Sequence, residues 1–217
     1  MISIYIQTPH TETLIAINLL NRLFKINKIK ASLSIVYDYS LEYRGIYFLN
    51  NKNEVVVNPI NCADLSTGGT DIEQKFYYGY SNDISLVSVI LHESCHWLSH
   101  KIYKTIVDDF AQAFPTTRLY LNNYSAEPDY AEEITEIMTL YLTNPFLLKM
   151  ISKEHYEFLK KYFKSPTPTT QNKCFLIYSN WPAEVKTQLG TKWGIYYNID
   201  KNKFEKKEII KEVINSK

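Results

Sequence analysis

Leu91-His92-Glu93-Ser94-Cys95-His96-Trp97 contains two histidines four residues apart with a glutamate directly after the first. On an α-helix that spacing puts both imidazoles on one face, one turn apart, where their nitrogens can reach a common point. The pattern H-E-x-x-H suits a zinc ion, with His92 and His96 as ligands and Glu93 placed to take a proton from water at the metal. The residues before it, Ile84-Ser85-Leu86-Val87-Ser88-Val89-Ile90-Leu91, are mostly apolar, and Ser81, Asn82 and Asp83 offer N-caps. The pattern therefore falls in a largely buried helix, where two histidines and a carboxylate cost desolvation unless something pairs with them.

Zinc in a catalytic setting needs a third protein ligand and keeps a fourth position open. A second helix, Asp129-Tyr130-Ala131-Glu132-Glu133-Ile134-Thr135-Glu136-Ile137-Met138-Thr139-Leu140-Tyr141-Leu142, ends before Asn144-Pro145 and carries Glu132 and Glu136 on one face. Ile134, Ile137, Met138 and Tyr141 mark its apolar side. The economical use of such a carboxylate pair near a core is that one binds metal and the other orients a ligand imidazole from behind. A solvated acidic face is the plainer alternative.

With these residues in view, 84–163 resembles the gluzincin-type zinc metallopeptidases of the lethal-factor and Pro-Pro endopeptidase kind. In that family the zinc pentapeptide is followed by a helix reading Glu-x-Phe-Ala-Glu, a hydrophobic stretch, an Asn-Pro-like stop and a helical tail. The matching stretches are Glu132-Glu133-Ile134-Thr135-Glu136, Leu140-Tyr141-Leu142-Thr143-Asn144-Pro145 and His155-Tyr156-Glu157-Phe158-Leu159. The resemblance implies Glu132 as third ligand to one Zn2+ per chain, Glu136 behind a ligand histidine, and Glu93 as general base in peptide-bond hydrolysis. Ile134-Thr135 stands where the family has Phe-Ala, which leaves Glu133 and Asp129 open as ligands one residue or one turn away. The family also has a tyrosine about two turns before the glutamate that stabilises the oxyanion; Tyr124 lies one residue from that position and Tyr130 is the other candidate.

Other uses of the pentapeptide fit less well. A metzincin would place glycine at 99 and histidine at 102, where this chain has Ser99 and Ile102. His100 lies two helical turns from His92, about 12 Å along a regular helix, too far for His92, His96 and His100 to share one ion. The deformylase pattern is absent around Ser66-Thr67-Gly68-Gly69-Thr70. An SprT-like DNA-associated protease would call for a third histidine and a basic or zinc-ribbon tail, while the tail here has one cysteine and mixed charge. A non-catalytic peptidase-like regulator would leave Glu93 and the open coordination position without a purpose.

Composition agrees with a globular chain: 217 residues, 45% hydrophobic, with 24 Lys and Arg against 23 Asp and Glu. A net charge of +1 gives no electrostatic case for nucleic acid, and three cysteines without paired spacing argue for a reducing compartment. Cys95 points away from the metal face and reads as a small buried apolar residue. The start, Met1-Ile2-Ser3-Ile4-Tyr5-Ile6, lacks the features of a signal peptide, and no run approaches a membrane span. The expectation is a cytoplasmic protein acting on a protein or peptide substrate, without nucleic acid or membrane; delivery elsewhere as an effector is compatible with it.

The expected fold class is α+β, a zincin-like domain over 1–165 with a small mixed or antiparallel sheet. Strands are read at Ile2–Gln7, Ala31–Tyr37, Tyr43–Leu49 and Glu54–Val57, with a helix from Glu12 to Ile26. One strand should form a sheet edge over the site and accept an extended substrate backbone. After Pro166-Thr167-Pro168-Thr169-Thr170, residues 166–217 form an aromatic-rich extension, with Lys203 to Lys217 read as a charged terminal helix.

Overall fold

Helix α1 (Thr11–Ile26) buries Ala16, Ile17, Leu20, Leu23 and Phe24, a three- and four-residue spacing that forms one apolar stripe, while Leu14 and Ile26 stay exposed. Its end is a Schellman motif: Ile29 N–H donates to Phe24 O and Lys28 N–H to Lys25 O, with Lys28 at φ 55° taking the left-handed position usually given to glycine. The computed structural model describes residues 2–4, 11–49, 52–62, 86–115, 119, 129–143, 145, 148–149, 152–167, 193–198 and 203–208.

The chain is α+β. A four-stranded mixed sheet runs in the order β1 (Ile2–Ile4), β2 (Leu33–Tyr37), β4 (Glu54–Val57), β3 (Gly45–Tyr47). β1, β2 and β4 run parallel to one another, and β3 is an edge strand antiparallel to β4 in register Gly45↔Val57, Ile46↔Val56 and Tyr47↔Val55. Leu33 and Ile35 of β2 alternate with partly exposed residues, as do Val55 and Val57 of β4, so one face of the sheet enters the core. β2 and β3 are shorter than their sequence patterns suggest, and β4 occupies the range read from the sequence; residues 5–7 of the first expected strand lie outside the described residues.

Helix α2 (Leu86–Trp97) crosses this core, packed against α1, against β3 and β4, and against α4 (Tyr130–Thr143). Trp97 closes its end: the indole is buried, stacks on Phe24 with ring centroids 5.7 Å apart, and donates Nε1–H to Asn53 Oδ1 at 3.0 Å. A π-helical turn, Leu98–Ile102, follows and leads through Thr105 into α3 (Ile106–Ala113). α4 is buried from Glu133 to Thr143, so it is a core helix rather than one with a solvated acidic face. Helix α5 (Lys153–Tyr162) packs on α4, and the tail continues to Thr167, whose hydroxyl donates to Leu142 O.

His155 sits in this packing with its ring stacked on Phe114, centroids 4.1 Å apart, and its Nε2 buried without a hydrogen-bond partner. Burial pushes its pKa down from 6.5 to about 4. Above pH 6.5 it is neutral in folded and unfolded chains alike; as pH falls toward 4 the unfolded chain takes up a proton that the folded chain refuses. Folding stability should therefore drop by about 3 kcal/mol across that window at most. Urea midpoints of wild type and His155→Phe measured from pH 7.5 to 4 test this, the variant losing this part of the slope; identical slopes would contradict it.

Residues 193–208 correct one reading of the sequence. Strand β5 (Trp193–Asn198) pairs antiparallel with β6 (Lys203–Glu208), Tyr197 opposite Phe204 and Ile195 opposite Lys206. Of the segment Lys203 to Lys217 expected as a helix, Lys203–Glu208 is thus a strand, because helix propensity is weaker than pairing with a β-prone neighbour, and residues 209–217 lie outside the described residues. No helix among the described residues is long and apolar enough to cross a membrane.

Candidate metal centre

Helix α2 is buried along its length except at three residues, His92, Glu93 and His96, which open onto a cleft of roughly 860 Å³. The cleft is lined from the sheet side by β3, from below by α2, and from the far side by Ala131, Glu132 and Glu136 of α4. The residues singled out by the four-residue spacing are thus where an otherwise apolar helix meets solvent.

His92 Nε2 and His96 Nε2 lie 3.0 Å apart, and the Glu132 carboxylate approaches them at 3.1 and 3.3 Å. On the other side of its ring, His92 Nδ1 is 2.6 Å from Glu136 Oε1, a carboxylate that is almost wholly buried. His96 Nδ1 is 3.3 Å from the Thr135 hydroxyl. When these outer contacts hold the Nδ1 protons, both Nε2 atoms present lone pairs toward the same point, and Glu132 Oε2, buried there, has no donor to satisfy it. Three electron-rich atoms converging in this way repel one another unless a cation sits among them.

The geometry fits such a cation. Four ligands at about 2.0–2.1 Å in a tetrahedron stand about 3.3–3.4 Å from one another, close to the 3.0 Å between the two Nε2 atoms and to the 3.1 Å from His92 Nε2 to Glu132 Oε2 and 3.3 Å from His96 Nε2 to Glu132 Oε1. Together these three form a cluster that could hold a metal ion. A proton can hold the same cluster together: burial opposes a charge on His92, but Glu136, Glu132 and Glu93 together raise its pKa well above the ordinary value. Burial works against the charged form of Glu132 as well, and the two imidazoles outweigh it, holding the carboxyl well below the usual range. Metal binding at this cluster would release that proton.

The neighbouring glutamates divide clearly. Glu132 faces the imidazoles; Glu133 turns away and accepts the Leu119 N–H at 2.8 Å; Asp129 caps α4 by accepting the Ala131 N–H at 2.7 Å. Helical direction thus removes the two alternative ligands. Glu93 lies beside the histidines under β3, where its carboxylate accepts the Tyr47 backbone N–H and burial raises its pKa.

β3 approaches α2 closely enough to need a residue without a side chain. A Cβ on Gly45 would lie 2.5 Å from Val89 Cγ1 and 3.0 Å from Glu93 Cγ. Gly45→Ala should cost about 1–3 kcal/mol through displacement of the strand or of Val89, whose branched side chain has few rotamers to escape into. Thermal unfolding reads this directly, and an unchanged midpoint would contradict the close approach.

Of the two candidate oxyanion donors, the described residues place one, and it is not in the cleft. Tyr130 donates its hydroxyl to Pro115 O and packs on Phe110, away from the cleft lining, and Tyr124 lies outside the described residues. Sequence reasoning missed a different pair: Tyr47 on β3 and His100 on the π-turn, both lining the cleft, joined hydroxyl to Nδ1 at 2.9 Å. A tyrosine inside an alternating strand carries no signal of this kind, and a regular helix would have carried His100 onward; the wider π-turn redirects it. Cys95 is buried against α4, outside the cleft lining, its thiol pKa pushed up by burial, within 3.7 Å of the Thr139 hydroxyl. No family model, curated protein or solved structure matches the chain.

Proposed function

We propose that this protein is a zinc-dependent endopeptidase of gluzincin type. The observation that carries the reading is the convergence of His92 Nε2, His96 Nε2 and the Glu132 carboxylate on the one open face of a buried helix, with Glu93 beside them. Imidazole and carboxylate ligands of this number suit zinc with an open position. A mixed sheet with an antiparallel edge strand over the motif helix, and a glutamate helix packed against it, is also the arrangement expected of a zincin-like domain.

Zinc bound by these residues would supply Lewis acidity to a water and a carbonyl that touch it. Glu93 takes the proton of the attacking water as its oxygen bonds to the carbonyl carbon, then delivers that proton to the nitrogen as the C–N bond breaks. The raised pKa of Glu93 brings it nearer to neutral pH, where one group can both accept and return a proton. Glu136 and Thr135 fix the rings of His92 and His96 from behind. Edge strand β3 gives an extended substrate a backbone to pair with.

The test is hydrolysis of a mixed peptide library, read by mass spectrometry, by protein as purified, after chelator treatment, and after zinc is returned. Cleavage lost with chelator and restored by zinc is the expected result. A zinc-loaded protein that leaves every peptide intact would overturn the reading.

A further inference from the structure

We propose that the cleft selects peptides with an acidic side chain near the scissile bond, held by Lys101 and Lys104. The inference rests on the peptidase reading and names its substrate class. Apart from Glu93, Glu132 and Glu136 at the metal centre, the charged residues among the described lining are Arg44, Lys101 and Lys104, all cationic. The whole chain is nearly balanced, with net charge +1, so this bias is local to the cleft.

Lys101 and Lys104 make no ion pair among the described residues, whereas Lys52 and Lys160 do, with Glu54 and Glu157. The nearest aspartates in sequence do not serve them: Asp109 accepts the Tyr162 hydroxyl, and Asp108 is exposed on α3. Lys101 is half-buried and Lys104 exposed, and both line the concave wall, where cations of one sign focus their field on an anionic partner.

Placement makes the site specific to one region of a bound peptide. The Tyr47–His100 hydrogen bond ties the π-turn that carries Lys101 to the end of β3. A peptide paired along β3 would pass this turn as it leaves the metal centre, and a carboxylate on it would meet both lysines. A divalent ion at the metal centre would offset most of the charge of the three carboxylates there, leaving the field of the lysines to act on a passing anion.

The experiment measures binding of short fluorescein-labelled peptides, with one Glu moved through successive positions and matched Gln and Lys series, to full-length zinc-reconstituted Glu93→Gln protein by anisotropy. At low salt, one register should bind Glu at least about tenfold tighter than Gln, with the gap narrowing as salt rises. Lys101→Gln/Lys104→Gln should bring the ratio close to one, and Lys101→Glu/Lys104→Glu should turn the preference toward Lys. Glu and Gln within about twofold in every register, no binding by any series, or an unchanged preference in the charge-reversed protein would overturn the proposal. Failure of the peptidase reading looks different: wild type would bind the acidic peptide and leave it uncut.

Discussion

Glu93→Gln is expected to reduce peptide hydrolysis by roughly 10²–10⁴-fold while leaving the metal ligands and the fold in place. The amide has nearly the shape of the carboxylate, and its oxygen can still accept the Tyr47 N–H that holds Glu93 under β3. It cannot take a proton from water. His92, His96 and Glu132 are untouched by the change, so zinc content should match wild type. kcat on the best library peptide, zinc per chain and the far-ultraviolet circular dichroism spectrum together give the answer. Full activity in this variant would remove Glu93 from the chemistry, and loss of zinc would mean that it acts on the site and not on the proton.

The second large effect separates two glutamates one turn apart on α4. On the proposed three-ligand site, Glu132→Ala leaves two imidazoles, which should lose zinc at micromolar free metal. Glu136→Ala removes only the carboxylate behind His92, 2.6 Å from Nδ1, and should weaken zinc affinity by about 10–100-fold without abolishing it. Affinities from competition with a chromogenic chelator rank the three proteins. Equal losses in the two variants would contradict the division of roles.

Much of the site was legible because helical periodicity converts spacing into direction. His92 and His96 at four residues, and Glu132 and Glu136 at four, each needed only a helix to share a face, and α2 and α4 supply both. The same geometry leaves Glu133 and Asp129 turned to Leu119 and Ala131, yet the sequence kept them open because no residue pattern states where a helix begins to within a residue. Positions set by tertiary contact were harder. That β3 is the edge depends on β2 and β4 pairing parallel past it, a long-range choice that local alternation does not encode. Thr135 behind His96 and Tyr47 bonded to His100 are contacts between elements 39 and 53 residues apart, outside the reach of any local pattern. The β6 reading failed for a related reason: Lys and Glu favour helix in isolation, and the partner strand beginning at Trp193 decided otherwise.

Whether His92, His96 and Glu132 hold a metal ion is decided by elemental analysis of the wild-type protein purified without chelator. About one zinc per chain, removable by chelation and restored on reconstitution, is the expected result. Protein that carries no zinc as purified and takes up none on reconstitution would contradict it.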